Sequence, residues 1–374
     1  MFKQRILIIG ASTINLVKFR TKLLLELKAQ GHEVTACSGE LLESAAGWFA
    51  DHDIAYDVIE QDARRGTNPL HDLRYYRQLK SVIAKRKPTV VLSVTLKPVI
   101  YGTLAAHKLR VSTIGAMITG VGMAFMGDGV RQKLIRAISS ALLRRALRHA
   151  DTLIFQNRDD IELFDQIGAI RGQKVVQTHG SGVDLDRFEA GPIPDGPPLF
   201  LLISRLIPEK GVRDFARAAA IVKQQHPEAR FQIIGPFEHR GSDITPEEVQ
   251  RWQDEYSIEH LGYIEDVRPY VLGASVYVLP SYYREGQPRS ILEAMAMGRP
   301  IITTDSVGCR ETIIDGENGL LVLPREPEIL AEAMVKFIEN PEMIHSMGRA
   351  SATRAARHYD VNQVNQKVIG ALGL

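Results

Sequence analysis

Two cysteines, Cys37 and Cys309, in 374 residues are too few for a disulfide framework. Long apolar runs are missing as well. The longest uncharged segment, residues 111–127, is rich in Gly, Ser and Thr and is broken by Gly115, Gly120 and Gly122, which excludes a spanning helix. The opening residues MFKQRILIIGAS run directly into a strand-like stretch, so no signal peptide is expected. A cytoplasmic location follows as the expectation. Internal sequence repeats are lacking, and the Asp-x-Asp triplets are "DHD" (51–53) and "DLD" (184–186). Neither argues for a bound cation, so no metal or other cofactor is expected.

What is present is the composition of a globular chain, 45% hydrophobic and 24% charged. Its length suits two domains of roughly 150–200 residues. The net charge of +2 conceals a division. Residues 1–183 hold 26 Lys and Arg against 16 Asp and Glu, a net +10; residues 184–374 hold 20 against 28, a net −8. Such asymmetry points to an anionic partner for the first half.

The apolar pattern predicts strands at "RILIIG" (5–10), "HEVTACS" (32–38), "TVVLSVT" (89–95), "DTLIFQN" (151–157) and "KVVQTHG" (174–180). Helical stretches separate most of them, as in a parallel sheet covered on both faces. Pro and Gly crowd "DLDRFEAGPIPDGPP" (184–198), the expected linker. The pattern then restarts with "LFLLISRL" (199–206), "RFQIIGP" (230–236), "VYVLPS" (276–281) and "PIITTD" (300–305). The fold class predicted is α/β: two doubly wound, Rossmann-like domains, 1–183 and 199–355, with strand ends at a shared cleft. A final helix, 356–374, is expected to cross back to the first domain.

Two loops carry candidate chemistry. "ISRLIPEKG" (203–211) brings Arg205 and Lys210 off a strand's C-terminal end, where two cations suit a diphosphate. "YREGQPRSILEAMAMGRP" (283–300) sets Glu285 in a loop and Glu293 eight positions on, in a helix. Gly286, Gln287, Pro288, Arg289 and Ser290 lead into that helix, whose N-terminal amides favour an anion. Glu293 is placed to accept bonds from a ribose, and Glu285 to reach a sugar beyond the phosphates. Two carboxyl groups also occur in glycosidases. That chemistry leaves the double α/β pattern and the basic loop unexplained.

"SRLIPEKG" together with the stretch from "GYIEDVRPY" to "GENGLLV" resembles the retaining family-4 glycosyltransferases of the GT-B fold, including their E-x7-E spacing. The resemblance implies that Arg205 and Lys210 hold a donor diphosphate, Glu293 its ribose, and Glu285 the donor sugar. Catalysis would then rest on Arg205, Lys210 and Glu285, without a metal. "TLKPVIYG" (95–102) and "MITGVGMAF" (117–125) resemble bacterial transferases that extend a sugar on polyprenyl diphosphate, such as N-acetylgalactosaminyltransferases. On that likeness the donor is a UDP-sugar, and the acceptor, a polyprenyl-diphosphate-linked saccharide, meets Lys97, Thr119, Gly120 and Arg131. The histidine that many members carry near the reacting sugar is absent; Thr119 stands in that region, and His107 reads as structural. A soluble or different lipid acceptor, or a silent nucleotide-sugar-binding module, are the other readings.

In "VRQKLIRAISSALLRRALRHA" (130–150), Leu134, Ile138 and Leu142 share one helical face, with Lys133, Arg136, Arg144 and Arg148 expected opposite, among Leu143 and Leu147. Interleaved cations and apolar residues suit an anionic membrane surface, which makes this a peripheral protein on the inner face of the cell membrane. No aromatic platform accompanies the cations, so nucleic acid is not an expected partner.

Overall fold

Runs such as RILII, VVLSV and LFLLI must be buried on both faces, which is what a central strand of a parallel sheet provides. In the computed structural model, residues 3–39, 43–60, 69–127, 129–238 and 244–374 are described. The chain forms two units, Met1–Ser181 with Val361–Leu374, and Gly182–Asp360.

The first unit is built on a seven-stranded sheet of β1 (Arg5–Ile9), β2 (Glu33–Ser38), β3 (Ala55–Val58), β4 (Val90–Val94), β5 (Thr113–Ile118), β6 (Thr152–Phe155) and β7 (Lys174–Gln177). All neighbours are parallel, in the order β3-β2-β1-β4-β5-β6-β7. Its helices are α1 (Thr13–Ala29), α2 (Glu43–Asp51), α3 (Pro69–Arg86), α4 (Leu96–Lys108), α5 (Val130–Leu147) and α6 (Arg158–Gln166). Successive residues of β1 serve two cores: Leu7 and Ile9 pack on one face of the sheet, Ile6 and Ile8 on the other.

The second unit repeats the plan. Strands β8 (Leu199–Ile203), β9 (Arg230–Ile234), β10 (Ile258–His260), β11 (Val276–Leu279), β12 (Ile301–Thr304) and β13 (Gly319–Val322) run parallel in the order β10-β9-β8-β11-β12-β13. They are flanked by α7 (Val212–Gln225), α8 (Pro246–Tyr256), α9 (Arg268–Gly273), α10 (Arg289–Ala296), α11 (Pro327–Glu339) and α12 (Pro341–His358). A last helix, α13 (Val361–Ala371), packs in the first unit, where Val368, Ile369 and Leu372 join the core beneath α1.

Four strands escape the apolar pattern. β3, β10 and β13 are sheet edges of three or four residues, too short to show alternation, and β5 is interrupted by Gly115. The stretch 184–198 is packed rather than a free linker: Phe188 is buried in the second unit, and Arg299 donates to the carbonyls of Gly191 and Pro192. The chain passes between units at 181–182 and again at 360–361, and α12 continues to His358, so 356–374 is not one helix. Among the described residues, no helix is long and apolar enough to cross a membrane.

Candidate functional site

In the second unit the strand order reverses between β8 and β11, which pair directly. Loops leaving the C-terminal ends of two such strands border the crevice where doubly wound sheets bind ligands. Those loops, 204–211 and 280–288, carry Arg205, Lys210 and Glu285, the residues singled out by sequence.

They are locked together by backbone. Gly211 adopts φ 71°, and a Cβ there would run into the carbonyl oxygen of Pro280, so only glycine allows the approach. Tyr282 N donates to Glu209 O at 2.9 Å, and Ser281 Oγ donates to the same carbonyl at 3.3 Å. From the next strand, Thr304 and Ser306 donate their hydroxyls to Ser281 O. Gly308, with φ 82°, lets the 286 carbonyl close in where any side chain would clash.

This scaffold delivers Lys210 Nζ onto Glu285 Oε1. Lys210 is only 8% exposed, so its charge is held in a mostly desolvated site rather than in solvent. Arg205 pairs through Nη1 with Glu238 Oε1, on the loop after β9. Burial works against that guanidinium's charge, but the hydrogen bond it donates to Glu238, together with the charges of Glu238, Tyr283 and Glu285, outweighs it and raises its pKa. Sequence reasoning missed Glu238, because a partner 33 residues away leaves no local signal.

Helix α10 begins at Arg289, with Pro288 at its N-cap. Its first intrahelical bonds run from Ile291 and Leu292 to Pro288 O, at 3.1 and 3.3 Å. The Arg289 and Ser290 amides therefore precede the helical ladder, the arrangement that favours an anion. Ile291, Leu292 and Met295 bury the helix against the sheet. On its other side Glu293 Oε1 lies 2.8 Å from Arg289 Nε. Gln287 Nε2 donates to Glu311 Oε2 at 3.1 Å.

Lys97, Thr119, Gly120 and Arg131 belong to the first unit, along the C-terminal edge of β4 and β5 and the start of α5. Lys97 is ion-paired with Asp72 at 2.9 Å, and Tyr101 donates to the same carboxylate at 2.8 Å. At the reversal point of this sheet, between β1 and β4, Thr95 stands at φ 76° and ψ 161°. That region is essentially reserved for glycine, and the Thr95 hydroxyl has no hydrogen-bond partner among the described residues. The "TLKPVIYG" motif contained Thr95, but only the backbone reveals its strain.

The sides of α5 differ from expectation. Leu143, Ala146 and Leu147 face the core, while Leu134 and Ile138 are 61% and 52% exposed. Lys133, Arg144, Arg145 and Arg148 share that exposed side, so cations and aliphatics are interleaved rather than opposed. Arg136 turns inward and donates to the carbonyls of Phe125 and Gly127 at 3.3 and 2.8 Å. His107 on α4 stacks on His149, with ring centroids 3.6 Å apart.

Residues 18–206 match the model of the glycosyl transferase 4-like domain, and residues 197–340 that of glycosyl transferases group 1. N,N′-diacetylbacillosaminyl-diphospho-undecaprenol α-1,3-N-acetylgalactosaminyltransferase of Campylobacter jejuni is 24% identical over 325 residues, covering 83% of this chain and 84% of the relative. Putative glycosyltransferase EpsD of Bacillus subtilis is 27% identical over 319 residues, covering 81% of each. Among solved structures, Anabaena Alr3699/HepE in complex with UDP aligns with a TM-score of 0.78 and 18% identity over 99% of both chains. Sucrose-phosphate synthase from Thermosynechococcus elongatus aligns with a TM-score of 0.78 and 17% identity over 98% of this chain and 97% of its own.

Proposed function

The chain belongs to the glycosyl transferase 4-like family and is a glycosyltransferase of the GT-B fold, and on that premise we propose that it is a retaining transferase using a UDP-sugar. The sugar moved is an N-acetylhexosamine such as N-acetylgalactosamine, and the acceptor is a polyprenyl-diphosphate-linked saccharide of bacterial surface glycan or glycoprotein glycan assembly. The observation that carries the donor half is the meeting of Lys210 with Glu285 across the β8–β11 reversal point, beside the N-terminus of α10. The Campylobacter relative's name, a transferase acting on a diphospho-undecaprenol sugar, supports the acceptor half.

The chemistry follows from charge. Departure of a nucleoside diphosphate builds negative charge on its β-phosphate, and Arg205, Lys210 and the α10 amides are preorganised to meet it. Three such groups supply this stabilisation without a metal ion. Glu285, beside Lys210, is positioned to accept from a donor-sugar hydroxyl while the ammonium meets phosphate. Glu293 accepts from the ribose hydroxyls. The exposed cations and aliphatics of α5 hold the enzyme at an anionic membrane surface, where its lipid-linked acceptor resides.

The test is a panel of UDP- and GDP-sugars offered with polyprenyl-diphosphate sugars and with soluble saccharides. We expect turnover with a UDP-N-acetylhexosamine and the lipid-linked acceptor, product of unchanged anomeric configuration by NMR, and full activity in a chelator. Transfer to soluble saccharides alone would replace the acceptor assignment. Binding of radiolabelled donor with no turnover on any acceptor would leave a nucleotide-sugar-binding module.

A further inference from the structure

A cavity of about 1070 Å³ lies in the first unit between α3, α4 and α5, just above the roughly 300–1,000 Å³ of ordinary small-molecule pockets. Leu96, Ile100 and Leu104 line it from α4, and Leu134, Ile135 and Ile138 from α5. Because Leu134 and Ile138 are more than half exposed, its apolar wall continues outward onto the face of α5. Exposed Leu73, on α3, lines it as well.

Its two ends are basic. Arg131 stands where α5 begins; Lys108, Arg145 and Arg148 stand where α4 and α5 finish, next to the His107–His149 stack. Lys97 also lines the first end, its charge already shared with Asp72. An aliphatic trough has no use for a saccharide or a nucleotide, both of which need polar partners along their length. It suits a hydrocarbon chain, and cations at its mouth suit an anionic head on that chain.

We propose that this groove receives the first isoprene units of a polyprenyl diphosphate, with the diphosphate beside Arg131. The polarity follows from the sheet. α4 and α5 both start at the C-terminal edge of the parallel strands, where Thr119 and Gly120 lie and where doubly wound sheets take their ligands. The head of the lipid belongs at that edge, and the tail runs down between the helices. The far cluster of Lys108, Arg145 and Arg148 then meets headgroups of the surrounding membrane. This inference rests on the lipid-linked acceptor proposed above and extends it to the tail.

Titration calorimetry with farnesyl diphosphate and with inorganic diphosphate tests it directly, without turnover. Each buried CH₂ contributes about 0.8 kcal/mol, close to fourfold in affinity, so wild type should bind farnesyl diphosphate at least tenfold more tightly. Two variants probe the groove: Leu134→Gln with Ile138→Gln makes its exposed wall polar without touching the core, and Leu104→Trp fills it. Both should bring farnesyl diphosphate to within about threefold of inorganic diphosphate, with the first unit's melting transition unchanged as a check on folding. Equal affinities in wild type, or a farnesyl preference that survives both variants, would overturn the groove. Dodecyl phosphate bound as tightly as farnesyl diphosphate would mark a phospholipid acyl chain as the occupant and equally overturn it. A farnesyl preference without transfer to isoprenyl-diphosphate sugars would keep the groove and remove the acceptor reading. Transfer to those sugars without the preference would do the reverse.

Discussion

Lys210 and Arg205 follow the same strand, yet their surroundings differ: one is buried against Glu285, the other partly open and paired with Glu238. Removing one preorganised donor from a developing oxyanion costs on the order of 10²–10³ in rate. Lys210→Ala and Arg205→Ala should each lose about that much turnover while keeping the wild-type circular dichroism spectrum, and more than half of wild-type turnover in either would refute its role. The two glutamates should separate by calorimetry. Glu293→Gln should weaken UDP and UDP-sugar alike, whereas Glu285→Gln should weaken the UDP-sugar and spare UDP; equal losses of UDP affinity would sink the division. Thr95 belongs to the same scale. Its backbone strain costs about 1–3 kcal/mol, and glycine returns about 0.5–1 kcal/mol of that through its floppier unfolded state. Thr95→Gly should therefore raise the melting point of its unit by about 2–4 °C. If that strain holds the β4–α4 turn in the shape the site needs, turnover should fall by up to about tenfold. A variant that is both stabler and fully active would leave the strain without a functional role.

Helix α5 shows how packing sorts one amphipathic sequence into two faces. Its stripe of Leu134, Ile138 and Leu142 and its stripe of Leu143, Ala146 and Leu147 are both apolar, but only the second is fully buried in the core, with Leu142 of the first packed against it in part. The first is left among Lys133, Arg144, Arg145 and Arg148. Each such cation near an anionic surface contributes about 1 kcal/mol, and the attraction decays over a Debye length of about 8 Å at physiological salt. Four of them would supply about 4 kcal/mol before screening, enough for reversible attachment. The protein should sediment with anionic liposomes at low salt and release at high salt. Changing Lys133, Arg144, Arg145 and Arg148 to glutamine should abolish sedimentation. Arg136→Gln should not, since that side chain is spent on the Phe125 and Gly127 carbonyls. Salt-insensitive sedimentation would return α5 to ordinary scaffold.

At the scale of the molecule, the chain builds the second unit and then goes back to finish the first. Val368, Ile369 and Leu372 complete the core beside Leu16 and Leu23, and Thr152 Oγ1 donates to Ala371 O at 3.1 Å. Deleting a large buried aliphatic side chain costs about 2–5 kcal/mol, so losing α13 should unfold the first unit or bring it to the edge of stability. Calorimetry on a chain ending at 360 should show the first-unit transition lowered or lost. The remaining transition should rise with added UDP, because a ligand stabilises the unit that binds it. A UDP-sensitive transition lost together with α13 would contradict the assignment of nucleotide binding to Gly182–Asp360.

Much of this was legible in the chain itself. Apolar runs of four to six residues alternating with helical periods specify parallel α/β units, since only burial on both faces suits them. The eight-residue spacing of Glu285 and Glu293 is likewise local, one loop and one helix turn, and needs no tertiary information. Tertiary structure decided the rest. Lys210 meets a carboxylate 75 residues away only because β11 pairs with β8, and Arg205 meets Glu238 only because β9 lies on the other side of β8. Periodicity shows that a segment is a strand but not which strand it will lie beside. Nor does it choose between two apolar stripes on one helix, or reveal that Thr95 is strained. Those outcomes depend on which surfaces the rest of the chain offers for burial.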